Sequence, residues 1–202
     1  MDKDIEVIAA DNKEVFPGFI DPLSSIGSMD RSFSIKDHNE ISDPLTPEAK
    51  IKYAFNHSEV MFEELYKVGI TTIGATPGNT NVIGGQMAAY KTWGQNSSKM
   101  LVKEPVALKG AVGNLVKKTY GEDNKAPKTR MMTYKLLKEI FNKVNKKIAS
   151  GEESSEKEKN KVIKKVLKQK LPLFITANKS FEIENLIHSL REFDIDLTIC
   201  GG

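Results

Sequence analysis

The chain has 202 residues, with 30 Lys and Arg against 27 Asp and Glu, three His and a single Cys, for a formal net charge of +3. With 39% hydrophobic and 28% charged residues it has the composition of an ordinary globular domain, which excludes wholesale disorder, a fibrous repeat and a disulfide-stapled scaffold. Met1 to Glu6 mixes charges where a secretory signal needs a basic start and an apolar run, no stretch approaches a membrane span, and Cys200 has no partner for an internal disulfide, so a cytoplasmic protein without membrane association is the expectation.

Ile5 to Ala10 is a short apolar run that ends in the polar cluster Asp11-Asn12-Lys13-Glu14, and Val15 to Ile20 resumes around Pro17-Gly18. That pattern predicts strand, turn, strand. Asp21 to Pro47 is polar and aperiodic, too long for a plain connection, and reads as a loop that builds part of a site. Ile51, Phe55, Met61, Leu65 and Val68 stand at helix-compatible spacings, so a helix is expected between Pro47 and Val68 with Gly69 as its C-cap. Ile70 to Ile73 follows as a strand.

Thr76 to Gln86 is rich in Gly and Asn and predicts a loop, bordered by strand-like pieces at Met87 to Tyr90 and Leu101 to Leu108. Met132, Leu136, Leu137, Ile140, Val144 and Ile148 repeat with the helical period across Thr129 to Ile148, and a charged hinge is expected at about 149–160. A basic helix at Lys161 to Lys170, a strand at Leu171 to Thr176, a helix near Phe181 to Phe193 and a strand at Leu197 to Cys200 complete the chain. Alternating strands and helices imply an α/β fold with a mostly parallel sheet or barrel.

Few residues announce chemistry by themselves. His38, His57 and His188 lack a second His, Asp or Glu at a ligand-pair spacing and read as surface or capping histidines. Glycines in the Thr76 to Gln86 loop would let backbone amides approach an anion, but no complete Gly-x-Gly-x-x-Gly or Walker pattern is present, so the reading is a structural loop at the mouth of a pocket. Between Asn142 and Lys170 ten lysines face four acids, about +6 locally. Without interleaved aromatics this is a solvated helix face, and nucleic acid is not an expected partner.

Several separated stretches carry a family resemblance. Val15-Phe16-Pro17-Gly18-Phe19-Ile20-Asp21 resembles the entry strand of the amidohydrolase superfamily. Asn39 to Pro47, Gly69 to Thr72, Pro77-Gly78 with Asn81 to Gln86, Lys103 to Lys109 and Pro127 to Met131 resemble its imidazolonepropionase-related branch. The resemblance implies a metal-dependent hydrolase of carbon-nitrogen bonds other than peptide bonds, built on a TIM-type barrel and using a divalent metal, usually zinc.

It also implies where ligands should stand, and they are replaced. The first His-x-His pair, two apart so that both side chains share a strand face, matches Leu23 and Ser25. The second pair matches Thr176 and Asn178, and Cys200-Gly201-Gly202 stands where a further His is expected. The family's late proton-shuttle Asp is expected to lie past the end of the chain. Lys109 matches the lysine that bridges two metals as a carbamate in some relatives; without its histidines it reads as an ordinary lysine.

The expectation is therefore an incomplete TIM-type (β/α) barrel at 17–202, with 1–16 a remnant of a β-sandwich strand. No catalytic residue, metal or cofactor is assigned. The degenerate metal-ligand positions are Leu23, Ser25, Thr176 and Asn178, and the pocket positions are Lys109, Asn81, Gly84, Gly85 and Gln86. The leading functional reading is an amidohydrolase-like protein, a truncated pseudoenzyme that keeps a small-molecule ligand site, with a second copy or a complementing barrel chain as partner. The alternatives are a metal-dependent hydrolase of cyclic amides or amidines completed by another chain, and a basic interaction module acting through Lys161 to Lys170.

Overall fold

The computed structural model describes residues 9–29, 37–122, 124–151 and 157–201. The first sheet starts with β1 (Phe19–Ser24), which pairs in parallel with β2 (Ile70–Ala75). A 3-10 turn at Ile51–Tyr53 and α1 (Met61–Lys67) make the crossover between them. β4 (Ala88–Lys91) and β5 (Leu101–Lys103) extend this sheet antiparallel in the order β1-β2-β4-β5, with the short α2 (Ser97–Met100) between the last two.

The second sheet has the order β3-β6-β7-β8, made of β3 (Ile83–Gln86), β6 (Leu108–Ala111), β7 (Leu173–Thr176) and β8 (Leu197–Cys200). β6, β7 and β8 run parallel, while β3 is antiparallel to β6. Parallel pairing needs long crossovers, and the helices supply them: α3 (Asn114–Glu122), α4 (Arg130–Ser150) and α5 (Glu158–Leu167) lead from β6 to β7, and α6 (Ser180–Leu190) leads from β7 to β8.

The larger core lies between this sheet and its helices. Leu137, Phe141 and Val144 of α4, Ile163 and Val166 of α5 and Leu186 of α6 are wholly buried with Leu108, Leu173 and Ile175. Each such side chain is worth about 1.5–3 kcal/mol of burial, so this block anchors the parallel strands. A smaller core joins Ile73, Tyr90, Phe55 and Phe62, with the Phe55 and Tyr90 rings stacked 3.6 Å apart.

Several expectations change. Residues 9–16 carry no strand and are exposed, and the rest of the 1–16 segment lies outside the described residues. The helix expected between Pro47 and Val68 is broken in two, because the Asn56 side chain accepts from the Ser58 backbone N–H at 3.0 Å and turns the chain before α1 begins. The loop expected through Gln86 ends early in β3: Gly85 has φ +129, and Ala49 O lies 2.8 Å from where its Cβ would stand, so glycine here serves a strand packed against backbone. α3 was not anticipated. The sheets are mixed and not mostly parallel, since β4, β5 and β3 reverse direction, and strand pairing makes two sheets in place of one continuous wall. α4 runs to Ser150 with Gly151 at φ +70 as its cap and α5 begins at Glu158, so helix enters both ends of the expected hinge, of which residues 152–156 lie outside the described residues.

Candidate functional site

The C-terminal ends of parallel strands are where α/β folds gather ligand sites, because the loops that follow converge there. Here the ends of β1, β2 and β7 and the middle of β6 meet around a cavity of about 390 Å³. Leu23 and Ser25 come from β1 and its exit, Thr76 from the exit of β2, Lys109 from β6 and Thr176 from the last position of β7. Four positions singled out in the sequence, Leu23, Ser25, Lys109 and Thr176, thus share one cavity.

Lys109 dominates its electrostatics. The residue is only 2% exposed. Its Nζ donates to Asn79 Oδ1 at 2.8 Å, Gly110 O at 2.7 Å and Thr176 Oγ1 at 2.7 Å. All three acceptors are neutral, and none of the described residues lining the cavity is Asp or Glu. Burial lowers the Lys109 pKa to about 8, with the Cys200 thiol acting weakly in the opposite direction. Burial in turn raises the Cys200 pKa, against a smaller lowering by Lys109, so Cys200 brings no negative charge near neutral pH.

The cavity's other wall is a set of neutral amides, hydroxyls and an imidazole from two loops. Gly78 donates its backbone N–H to His38 O at 2.9 Å, and a Cβ at Gly78 would fall 2.2 Å from Asn39 Oδ1, so only glycine lets the loops meet this closely. His38 is buried, contrary to the surface or capping role expected from sequence: the 37–42 segment is pressed against the β2 exit, and its ring contacts Ser28 O at 3.2 Å and Asn39 Nδ2 at 3.0 Å. The Thr80 hydroxyl faces the side-chain oxygens of Asn39 and Asn81 at 2.8 and 2.7 Å and satisfies one at a time. His57 and His188 are exposed.

The other sequence candidates lie apart. Asn178 is exposed and lines a neighbouring cavity of about 260 Å³ that shares Asn79, Leu115 and Thr176 with the first. Its backbone N–H donates to Glu182 Oε2 at 3.1 Å. Asn81 is buried beneath the site, where its amide donates to Asp43 O and Thr46 Oγ1 and fastens the 40–46 segment. Gln86 donates to Pro47 O at 3.0 Å, Gly85 packs on Ala49, and Gly84 borders a small recess of about 40 Å³. Thr76 to Thr80 reaches the cavity where Asn81 to Gln86 was expected to. His38, Asn39, Asn79 and Thr80 were missed; the signal available was that the Asn39 to Pro47 and Pro77-Gly78 stretches both carried the family resemblance.

A zinc ion does not fit this donor set. Leu23 has no donor atom, Ser25 and Thr176 offer neutral hydroxyls, and the Lys109 ammonium repels a cation. Among the described residues no group of three or more His, Cys, Asp or Glu is arranged to hold a metal ion. On α5, Lys159 reaches Asp43 at 3.0 Å and Leu45 O at 2.7 Å, Lys161 pairs with Glu158 at 2.6 Å, and Lys165 and, just past the helix, Lys168 are exposed. Among the described residues no helix is long and apolar enough to cross a membrane.

No family model and no curated protein matches the chain. A solved structure does: the crystal structure of an amidohydrolase from Thermotoga maritima MSB8 matches with a TM-score of 0.85 and 30% sequence identity. The match takes in 98% of this chain and 56% of the Thermotoga chain, so this protein is similar along nearly its whole length to little more than half of an amidohydrolase.

Proposed function

We propose that the chain is an amidohydrolase-like protein of the imidazolonepropionase-related branch, an incomplete (β/α) barrel that retains a small-molecule cavity and has lost metal-dependent hydrolysis. The observation that carries this reading is the meeting of Leu23, Ser25, Lys109 and Thr176 on one cavity, with an aliphatic side chain and two hydroxyls where a hydrolase would need imidazoles, beside a buried ammonium. Metal-bound water is what supplies a nucleophile near neutral pH in such enzymes, so replacing the ligands removes the mechanism and leaves the cavity. Elemental analysis of the purified protein and a zinc titration test the first half; about one tightly bound metal per chain overturns it. Ligand-observed NMR with a mixed small-molecule set tests the second half, and an empty result there removes the binding role.

A second reading, a hydrolase of cyclic amides or amidines completed by another chain, is favoured by one observation. β1 lies at the end of its sheet, and Phe19 and Ile20 on it are 63% and 67% exposed. A strand edge with apolar side chains on both faces is a surface that another chain covers. Hydrolysis of a cyclic amide by a reconstituted two-chain complex, absent from either chain alone, is the result that would establish it.

A further inference from the structure

We propose that the Lys109 ammonium makes the cavity a binding site for small monocarboxylates, the anion supplying a counter-charge that the described lining residues do not. The proposal rests on the reading of the cavity as a metal-free small-molecule site and names its ligand class.

A buried ammonium costs free energy unless it is both hydrogen-bonded and compensated in charge. Lys109 meets the first condition, and no described lining residue meets the second. Asn79 Oδ1, Gly110 O and Thr176 Oγ1 are dipoles without net charge. No Asp or Glu lies among the described lining residues. The titratable group that acts on Lys109 is Cys200 of the adjacent β8, a thiol kept neutral by burial. The His38 ring, across the cavity, faces Ser28 O and the Asn39 amide. Among the described lining residues Lys109 is therefore the one lysine or arginine, set in a partly desolvated wall where charge-assisted hydrogen bonds are strongest.

A carboxylate entering between the side chains can replace the Asn79 amide oxygen as an acceptor on Nζ, exchanging a neutral partner for a charged one. The Ser25 hydroxyl shares the cavity and offers a donor for the second carboxylate oxygen. Leu23, Met29, Pro77 and Leu115 give the remaining wall an apolar surface, suited to the aliphatic or aryl body of such an acid. A dianion would bring more charge than the single cation offsets, and a metal cation would be repelled by it.

The test uses the full chain with butyrate and benzoate as probes and butyramide and benzamide as their uncharged counterparts, read by protein NMR shifts and calorimetry. The acids should bind at least tenfold more tightly than the amides and shift the Lys109 side-chain resonances. Asn79→Asp, nearly isosteric, sets a built-in carboxylate 2.8 Å from Nζ; it should cut acid affinity tenfold or more and leave amide affinity unchanged. Lys109→Met should do the same, and if that variant fails to fold, Asn79→Asp alone decides. Acids and amides binding equally, or acid binding that survives Asn79→Asp, overturns the anion site while leaving the small-molecule cavity standing. Binding of neither class to the folded chain removes the cavity reading as well.

Discussion

The Thr176 hydroxyl lies 2.7 Å from the Lys109 ammonium, joining the end of β7 to the middle of β6 across the floor of the cavity. Asn79 Oδ1 and Gly110 O only accept hydrogen bonds, whereas a hydroxyl accepts from an ammonium and donates to an amine. Three acceptors match the three N–H groups of charged Lys109. When the proton leaves, two acceptors keep the two remaining N–H groups and Thr176 turns to donate, so the same pocket serves both protonation states of a lysine whose pKa is lowered to about 8 by burial.

Thr176→Val should therefore destabilise the protein by about 1–2 kcal/mol at pH 7, where the ammonium loses an acceptor. The cost should shrink at pH 9.5, because the neutral amine still has Asn79 and Gly110 for its two donors. Urea unfolding at the two pH values reads this, with Thr176→Ser as the variant that restores stability. An equal loss at both pH values would show that the valine disturbs packing and not the lysine.

Lys109 also sets a direction for stability against pH. Its folded pKa of about 8 lies below the ordinary 10.5, chiefly through burial, so between these values the unfolded chain binds more protons and stability from this group rises with pH. The gap is worth about 3 kcal/mol. Tyr90 and Tyr134 run the other way above pH ~10, since burial raises both to about 12 and the unfolded chain loses phenolic protons first. Lys109→Met isolates the lysine: its stability relative to the parent should be greatest at pH 7 and decline steadily from pH 8 to 9.5. A difference that stays flat over that range would mean that Lys109 keeps an ordinary pKa in the folded chain.

The strongly periodic elements were legible in the sequence. Across α4, Leu137, Ile140, Phe141 and Val144 recur at helical spacing, Thr129 caps the start by accepting from Met132 N at 3.3 Å, and Gly151 ends it with a positive φ. β2, β7 and β8 lie within a few residues of their apolar runs. α3 was not legible, because Leu115, Val116 and Tyr120 stand among Lys117, Lys118 and Gly121 and only Val116 and Tyr120 are buried. Gly84-Gly85 signals a turn by composition, yet glycine there admits the Ala49 backbone against a strand. Of the site, the strand-end positions came from motif alignment. His38 and Asn39 depend on how a long loop folds back onto Gly78, a nonlocal contact with no spacing of its own.

Close backbone approach makes Gly110 a second test of the β6 environment. A Cβ there would stand 2.2 Å from Val82 O and 2.7 Å from Ile175 Cδ1, and the first neighbour is backbone and cannot rotate away. Gly110→Ala should cost more than about 2 kcal/mol and loosen β3 from β6, read by thermal melting and by hydrogen exchange at Met87 and Ala111, whose amides bond to Ala107 O and Asn81 O. Gly113→Ala, whose Cβ meets only Glu182 oxygens at 3.9 and 4.0 Å, should fall within about 1 kcal/mol of the parent.

Placing histidines at the proposed ligand positions separates the metal question from the chemistry. Leu23, Ser25 and Thr176 border one cavity while Asn178 is exposed beside another. Leu23→His, Ser25→His and Thr176→His together should therefore gain zinc affinity, and adding Asn178→His should change it little. Lys109 works against the gain, because its ammonium would face the ion and Thr176→His removes one of its three acceptors. Combining the three histidines with Lys109→Met should bind zinc at least tenfold more tightly than the three alone, since a repelled charge leaves the wall. Zinc titration with elemental analysis reads each step. Hydrolysis of cyclic amides should remain absent even when zinc is bound, because none of the cavity's described residues is a carboxylate able to take the proton from an attacking water. Tight zinc binding by the triple variant with Lys109 intact would show that the ammonium lies clear of the ligand positions, and turnover by any of these variants would overturn the assignment of lost catalysis.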